Sequence, residues 1–306
     1  MRGLRLFLTL PLLFLTLACS LASIVPLTPT PTAYVFPTNT VATVPPLTVE
    51  QLKNADYTII GFDNASTLCK FTDGKFTRGA DSSAVDYADL RLLDFFPMGD
   101  LDENGVDDAA VLIAENYGGT GVFVSVNAVL NEGGPHHAAS YMIDDRPQIN
   151  ALEIRNGEIF LDAVVHGPSD AMCCPTFPVT RTFRLMGASL VLVNATSQTP
   201  GGLSRVISIE SPLAGQDVSG ALIIRGSVTI APFENNLVLR VYNENGNELY
   251  AGPVMVDAPD MGAPGTFNVT LDLSAFPPGR ILIELSDLSA ADGSVLALDS
   301  VMVVVR

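Results

Sequence analysis

Side chains that can bind a metal ion are concentrated between Asp100 and Asp108, where the sequence reads Asp-Leu-Asp-Glu-Asn-Gly-Val-Asp-Asp. Side-chain oxygens occupy relative positions 1, 3, 5 and 9 of this acidic loop, and glycine occupies position 6. A hard cation such as Ca²⁺ takes about six to eight oxygen ligands, and glycine at position 6 permits the bend that turns them inward. The spacing therefore predicts a Ca²⁺ site. Its expected ligands are the side chains of Asp100, Asp102, Asn104 and Asp108 and the carbonyl oxygen of Val106.

The residues before the acidic loop favour a β-hairpin. Phe95 and Phe96 favour a strand, and Pro97 would break a helix at that point. A helix–loop–helix calcium loop closes with a bidentate Glu at position 12. Val111 stands there in this chain, so Asp108 is expected to take over part of that role. The D-x-D-x-N-G-x-x-D pattern resembles the calcium loops of integrin-type (FG-GAP) and dockerin-like modules, and the integrin-type resemblance implies a loop on a β-hairpin.

A surface hairpin that binds no ion is the alternative, because Asp, Asn and Gly are common in turns for backbone reasons. Five acidic groups within nine residues favour the ion, since without a cation these groups repel one another. We expect a stabilising site with an affinity of roughly 10⁻⁴–10⁻³ M, which is the extracellular range.

The first residues have the features of a bacterial export signal. Arg2 and Arg5 precede a short apolar core, which ends in Leu-Thr-Leu-Ala-Cys at residues 15–19. These five residues resemble a lipobox. The resemblance implies a signal peptide at residues 1–18, cleavage before Cys19, and a diacylglycerol and palmitate anchor on the outer face of the cytoplasmic membrane. Secretion with cleavage near Ala18 or Ala22 is the alternative.

Residues 19–48 are expected to form a lipid-anchored linker. From residue 20 this segment carries six prolines, seven threonines and no charged residue, which favours extended polyproline II structure. At about 3.1 Å per residue it would span up to roughly 90 Å. The whole chain has a formal net charge of −17, so its surface repels nucleic acid and anionic lipid headgroups.

Residues 49–198 are predicted to form a β-rich domain with one short helix. Thr48 and Gln51 match a helix capping box, and Asp73-Gly74 and Asn156-Gly157 are two-residue hairpin turns. Three segments together resemble an uncharacterised domain of bacterial lipoproteins, which implies location and fold without an assigned activity. These segments are Gly99-Asp100-Leu101-Asp102, residues 115–121 (ENYGGTG) and residues 166–175 (HGPSDAMCCP).

Residues 199–306 are predicted to form an antiparallel β-sandwich, because short alternating strands follow one another at turn-punctuated spacing. The order Ser211-Pro212-x-x-Gly215, an apolar strand with Gly226, and Gly265-x-Phe267 carries a resemblance. It is similar to the immunoglobulin-like domain attached to bacterial spore-germination and cell-wall proteins, which implies a binding or spacer role. The predicted fold class is therefore mainly β, with two domains.

Outside the cytoplasm, cysteines pair by default. Neighbouring Cα atoms lie about 3.8 Å apart across a trans peptide, below the usual minimum of about 4.4 Å for a disulfide. A bond between Cys173 and Cys174 is therefore disfavoured, and the preferred arrangement joins Cys69 to one of them. The vicinal bond, free thiols and metal ligation stay open.

Residues for an enzymatic site are present but poorly spaced. A zinc site could draw on His136, His137, His166, Ser169 and Asp170 with the two neighbouring cysteines, yet no C-x₂-C or H-x₃-H spacing exists. A triad of Ser169, His166 and Asp170 would lie within five residues, whereas known triads draw on separate segments.

The sequence thus favours a non-catalytic, extracytoplasmic lipoprotein that serves as a cell-envelope binding or scaffold module stabilised by Ca²⁺. Its expected partners are the membrane, through the lipid on Cys19, and a cell-wall or surface protein, and nucleic acid is not expected. The alternative is a cell-wall enzyme, or an enzyme inhibitor, that uses the loop from His166 to Pro175.

Overall fold

Strands occupy most of the chain, as the alternation of apolar and polar residues predicts. The computed structural model describes residues 44–60 and 65–306. The mainly β fold class is confirmed, with large antiparallel sheets. The predicted signal peptide, Cys19 and most of the predicted linker lie outside the described residues. Within the described ranges, no helix is long and apolar enough to cross a membrane.

The described residues contain two short helices, α1 (Val49–Lys53), before the first strand, and the 3₁₀ helix η1 (Phe233–Asn235). The predicted capping box of α1 is confirmed. The Gln51 backbone N–H donates to Thr48 Oγ1 over 3.2 Å, and the Thr48 N–H donates to Gln51 Oε1 over 2.9 Å. Leu47 is buried in a hydrophobic core, so packing begins within the last residues of the predicted linker.

The first strands form two sheets. β1 (Asp56–Ile60) pairs with β2 (Ser66–Lys70) in a two-stranded antiparallel sheet. A six-stranded sheet has the order β3-β4-β6-β7-β8, with β5 paired to β6. Its strands are β3 (Lys75–Arg78), β4 (Ala88–Leu92), β5 (Met98–Gly99), β6 (Asp108–Asn116), β7 (Phe123–Asn131) and β8 (Pro135–Asp145).

The remaining strands form one sheet of thirteen, in the order β14-β16-β19-β18-β17-β20-β21-β12-β11-β10-β9, with β13 on β12 and β15 on β21. The first five are β9 (Gln148–Arg155), β10 (Glu158–Val165), β11 (Phe177–Met186), β12 (Ser189–Gln198) and β13 (Ser204–Arg205). The other eight are β14 (Ile207–Ser211), β15 (Asp217–Val218), β16 (Ala221–Val228), β17 (Asn236–Asn243), β18 (Glu248–Asp257), β19 (Gly265–Asp272), β20 (Gly279–Leu288) and β21 (Val295–Val305).

Both predicted two-residue hairpin turns adopt left-handed backbone conformations. Asp73 and Gly74 have φ values of 49° and 75°, and Asn156 and Gly157 have φ values of 52° and 78°. Two successive positive φ angles match the right-handed twist of the paired strands, which explains why Asp-Gly and Asn-Gly occur there.

The N-terminal lobe, α1 and β1 to β12, has three layers. The sheet of β3 to β8 is the middle layer, and β6 is buried on both faces. Its residues Ala110 and Leu112 pack into a core with β9 to β12, while Val111 and Ile113 pack into a second core with α1, β1 and β2. Burial on both sides explains why the sequence of β6 is a continuous apolar run.

The C-terminal lobe, β14 to β21, is a sandwich of two packed layers. Ile224 of β16 and Phe267 of β19 share one core with Leu239 of β17, Ile283 of β20 and Val303 of β21. β18 pairs with β17 along most of its length and reaches β19 at Val256 and Asp257, so it connects the layers.

The two lobes share a sheet through the pairing of β12 with β21, where Asn194 lies opposite Asp299 and Ala195 opposite Leu298. Asp299 accepts hydrogen bonds from Asn194 Nδ2 (3.1 Å) and from the Ile209 N–H (2.8 Å). The predicted domain boundary after residue 198 coincides with the end of β12 and stays a prediction.

Candidate metal centre

The acidic loop connects β5 and β6. Met98 pairs with Ala109 and Gly99 with Asp108, so the loop closes an antiparallel hairpin, as predicted. The prediction of a strand at Phe95 and Phe96 is wrong, since both residues lie between β4 and β5. Gly105, at position 6, has a φ of 83°, and a Cβ there would meet no atom within 4 Å. The backbone conformation, rather than lack of space, therefore favours glycine at this position.

Three of the predicted ligands come together. Carboxylate oxygens of Asp100, Asp102 and Asp108 lie within 4.8 Å of one another, and no other group of three or more His, Cys, Asp and Glu side chains converges in this way in residues 44–60 and 65–306. Asp100 accepts hydrogen bonds from the N–H groups of Asn104 (3.1 Å) and Gly105 (2.7 Å). The loop backbone thus holds the carboxylates close together.

The side chain of Asn104, a predicted ligand, forms hydrogen bonds within the acidic loop. Its Nδ2 donates to Asp102 Oδ2 over 3.0 Å, and its Oδ1 accepts the Val106 N–H over 2.7 Å. An amide oxygen has two lone pairs, so Oδ1 keeps one for a cation. Val106, which donates this N–H, is also the residue whose carbonyl oxygen is the expected backbone ligand.

Asp108 is fully buried and links the acidic loop to the end of β7. Its carboxylate accepts the Leu101 N–H and the Asn131 N–H, each over 2.8 Å. Burial raises the pKa of Asp108, and the charges of Asp102 and Asp100 raise it further, whereas the two backbone donors lower it. An ionised Asp108 is therefore unfavourable near its acidic neighbours, and a bound cation would offset that cost.

Asn131 is part of this arrangement, and sequence reasoning missed it because it lies 23 positions from Asp108. Its Nδ2 donates to the Pro45 carbonyl over 2.9 Å, which attaches the end of the linker to the lobe. Its Oδ1 is buried and accepts no hydrogen bond within the described ranges. The closely spaced carboxylates of Asp100, Asp102 and Asp108 are oxygen donors of the kind that suits Ca²⁺.

The acidic loop also contacts the C-terminal lobe. Glu103 Oε2 lies 3.5 Å from Arg280 Nη1, at the start of β20. A cavity of about 130 Å³ beside it is lined by residues of both lobes, among them Asn156, Gly157 and Met302. The loop therefore lies at the junction between the two lobes.

The loop from His166 to Pro175 forms a separate polar cluster. His166 Nδ1 lies 2.9 Å from Asp144 Oδ2, and His166 Nε2 is buried without a partner among the described residues. Asp170 instead accepts hydrogen bonds from the Gly167 N–H (2.8 Å), the Thr176 N–H (2.7 Å) and Thr176 Oγ1 (2.7 Å). The triad of Ser169, His166 and Asp170 is therefore not assembled, because Asp144 pairs with the imidazole.

The cysteines pair differently from the preferred prediction. Cys173 and Cys174 are bonded to each other on the exposed loop, and Cys69 is a buried free thiol. The predicted bond from Cys69 to one of them is wrong. Cys69 packs in the core beneath β1 and β2, whereas the strands that flank Cys173 pack on the opposite face of the middle sheet.

The predicted zinc residues are also separated. His136 is exposed beside Glu132, while His137 is half-buried, and the Thr58 N–H donates to its Nδ1 over 3.2 Å. That bond places the proton of the neutral ring on Nε2, which faces Asn127 Oδ1 (3.1 Å) and Ser140 Oγ (3.0 Å). Burial lowers the pKa of His137 to about 4, so it serves as a neutral bridge between β1 and β8.

Comparison with known proteins identifies the C-terminal lobe. Residues 206–294 match a family described as the immunoglobulin-like domain of bacterial spore germination. This part of the chain is an immunoglobulin-like domain. The match confirms the resemblance seen around Ser211-Pro212, Gly226 and Phe267. No curated protein matches the chain.

One similar solved structure is dimeric latent PorU from Porphyromonas gingivalis. The two chains are 14% identical, and the TM-score is 0.28. The similarity covers 71% of this chain and 29% of the PorU chain, so the chain spans less than a third of that relative.

The hydrogen bonds of Asp170 lead to a prediction for the loop from His166 to Pro175. Asp170→Ala should speed limited proteolysis between residues 166 and 176 severalfold, because three donors lose their acceptor. These bonds lower the pKa of Asp170, so their stabilisation is present above its unfolded pKa and is lost as the pH falls through the folded value. Wild-type protein should therefore be cleaved faster in this loop at acid pH. The control is Asp162→Ala, and equal cleavage of both variants would contradict the assigned role.

Proposed function

We propose that this chain is a non-catalytic, extracytoplasmic lipoprotein that acts as a binding or scaffold module of the cell envelope, with Ca²⁺ stabilising its N-terminal lobe. The observation that carries the proposal is the convergence of Asp100, Asp102 and Asp108 in a loop at the junction with an immunoglobulin-like domain. A cation there would hold together a loop that connects to β7 on one side and to Arg280 on the other.

The proposed attachment is a lipid on Cys19, at the outer face of the cytoplasmic membrane of a bacterium. The Pro- and Thr-rich linker then separates the two lobes from the lipid surface. The net charge of −17 supports this arrangement, because an acidic module is repelled by anionic headgroups and stays away from them. The proposed partner is a cell-wall component or a surface protein.

The two lobes are suited to a scaffold role because they share a hydrogen-bonded sheet. Besides the pairing of β12 with β21, Ser197 Oγ donates to the Leu296 carbonyl over 2.6 Å, and Ser300 Oγ donates to the Val193 carbonyl over 2.7 Å. Arg205 pairs with the buried Asp287 over 3.1 Å. These contacts restrict the rotation of one lobe relative to the other. A force applied to one lobe is therefore transmitted to the other.

Calcium is predicted to raise the unfolding temperature of the N-terminal lobe. At 100 times its dissociation constant, a ligand of the folded state adds about 2.7 kcal/mol. The whole chain should show this shift when millimolar Ca²⁺ replaces EDTA in calorimetry, and Asp100→Ala/Asp102→Ala should abolish it.

The matched control is Asp56→Asn/Asp94→Asn, which removes two exposed carboxylates of the same lobe. Each of them has only a long contact to a lysine, at 3.9 Å and 3.8 Å. The control should keep the full Ca²⁺ shift. Equal shifts in all three proteins would indicate nonspecific charge screening. No shift in the wild type would indicate that the acidic loop is a hairpin that binds no Ca²⁺.

A second candidate function, a cell-wall enzyme or an enzyme inhibitor, is favoured by one contact. The pairing of Asp144 with His166 Nδ1 orients the imidazole, as in sites where a carboxylate positions a general base, and the buried Nε2 has no partner among the described residues. His166→Ala would abolish activity on a wall polymer without changing stability if this candidate is right. A loss of stability with no activity in the wild type would identify His166 as structural.

A further inference from the structure

A second cavity, of about 370 Å³, lies in the N-terminal lobe between β1 and β2 on one side and β3 and β4 on the other. We refer to it as the β1–β4 cavity. Its walls include Ile59, Cys69, Phe76, Arg78, Leu90 and Tyr117. Small-molecule sites usually measure about 300–1,000 Å³ and combine apolar walls with a few polar groups, so both its size and its lining match such a site.

Strand alternation explains this lining. Phe76 and Arg78 are two positions apart on β3, and Ala88 and Leu90 are two positions apart on β4, so each pair projects from the same face. Arg78 lies directly opposite Ala88 in the register. The charged side chain of Arg78 is thus next to the small side chain of Ala88, at the end of an otherwise apolar wall.

The guanidinium of Arg78 is available to a ligand. Its Nε donates to the Asp86 carbonyl over 2.8 Å, and it forms no ion pair with an acidic side chain in the described part of the chain. Lys75, Arg181 and Arg225 likewise form no ion pair within the described ranges, so Arg78 is distinguished by its position in the wall of the cavity. The two terminal nitrogens of a guanidinium fit a carboxylate in a bidentate pair.

The Cys69 thiol in the wall of the cavity does not oppose an anion. Burial raises the pKa of the Cys69 thiol to about 11, so the thiol is neutral at pH 7. The carboxyl group of Glu115, behind the wall, accepts hydrogen bonds from Tyr117 Oη (2.6 Å) and Ser125 Oγ (2.8 Å). Burial raises the pKa of Glu115, whereas the hydrogen bonds from Tyr117 and Ser125 lower it.

Two glycines hold the rim of the cavity in place. A Cβ on Gly79 would lie 2.8 Å from Tyr87 Cα, and a Cβ on Gly118 would lie 2.7 Å from the Ser82 carbonyl oxygen. Both glycines have positive φ angles, 86° and 88°. The close approach brings Tyr87 and the fully exposed Val85 to the mouth of the cavity, where an apolar ligand would cover them.

We propose that the β1–β4 cavity binds a small organic carboxylate with an apolar body, whose carboxylate pairs with Arg78 while its apolar part contacts Phe76 and Leu90. This inference is independent of the calcium loop, since the two sites share no residue.

The test uses the whole chain with Cys19→Ser and octanoate as the probe, measured by calorimetric titration at pH 7. Octanoate should bind about tenfold more tightly than 1-octanol, which corresponds to about 1.4 kcal/mol, and octylammonium should not bind. Arg78→Gln should remove the preference for octanoate, and Arg78→Lys should restore part of it. Arg225→Gln removes a comparable arginine from β16 of the other lobe and should change nothing.

The location of binding is checked through Cys69, the one cysteine in the described ranges outside the Cys173–Cys174 bond. Saturating octanoate should slow its alkylation severalfold in the wild type, and less in Arg78→Gln. The proposal is overturned if octanoate fails to bind, if it binds no better than 1-octanol, or if it leaves the alkylation rate unchanged.

Discussion

Asp108→Ala should destabilise the N-terminal lobe by about 2–6 kcal/mol even in EDTA. The substitution leaves the N–H groups of Leu101 and Asn131 without their acceptor inside a buried site, and each such group costs roughly 1–3 kcal/mol. Asp108→Asn keeps one acceptor oxygen and should cost less than Asp108→Ala. Urea unfolding of the whole chain in EDTA measures both effects without any contribution from a bound ion.

Asp107→Ala is the matched control, since Asp107 is the exposed neighbour and lies in the same loop. It should change the free energy of unfolding by less than about 0.5 kcal/mol, as surface substitutions usually do. If Asp107→Ala and Asp108→Ala were equally destabilising, a general loss of negative charge would explain both, and the assigned role of Asp108 would be wrong.

The raised pKa of Asp108 also predicts the direction of a pH effect in EDTA. Because burial favours the protonated form in the folded state, the contribution of this group to stability is greatest below its unfolded pKa and is lost as the pH rises through the folded value. Calcium should remove much of that loss. The stability gained from Ca²⁺ should therefore be larger at pH 7 than at pH 4, and it should depend on Asp108.

Leu298→Ala should destabilise the N-terminal lobe by about 2–5 kcal/mol, although Leu298 lies in the last strand of the chain. Its side chain is 2% exposed and packs in the core of the N-terminal lobe with Phe183, Leu190 and Leu192. Truncating a buried leucine removes its packing and leaves a cavity. Hydrogen exchange should therefore become faster in β10 and β11, far from position 298 in sequence.

Leu285→Ala provides the control for this prediction. Leu285 is fully buried in the core of the C-terminal lobe, so the same side-chain atoms are removed from the other lobe. Exchange should then become faster in β16 and β19, with β10 little affected. If both variants accelerated exchange only in the C-terminal lobe, Leu298 would not contribute to the N-terminal core, and the shared sheet would not couple the lobes.

Local features of the fold could be predicted because their causes are local. The turns at Asp73-Gly74 and Asn156-Gly157 need residues that accept positive φ angles, and these residues can be recognised without a structure. The same holds for the capping box at Thr48 and for the hairpin that carries the acidic loop. The C-terminal immunoglobulin-like domain was also recognisable, because its glycines and Phe267 occur in a characteristic order.

The pairing of the cysteines could not be predicted, because it depends on which layer each strand enters. Alternation places Cys69 on the buried face of β2, but it does not say which of two cores lies beneath that face. The short Cα–Cα distance disfavours a bond between Cys173 and Cys174. They are nevertheless bonded to each other, because Cys69 lies in a separate core and cannot pair with either of them.

The sequence by itself determined the strands, the tight turns and the grouping of acidic side chains, since each depends on residues within a few positions of one another. It also determined the immunoglobulin-like lobe, through the order of its glycines and Phe267 along the chain. Only the tertiary structure decided which groups surround those side chains. Asn131 reaches Asp108 across 23 positions, and Asn194 reaches Asp299 across 105. Such contacts, like the β1–β4 cavity around Arg78, arise when strands that are distant in sequence pack together. The alternation of side chains along one strand does not indicate which other strand it pairs with or packs against.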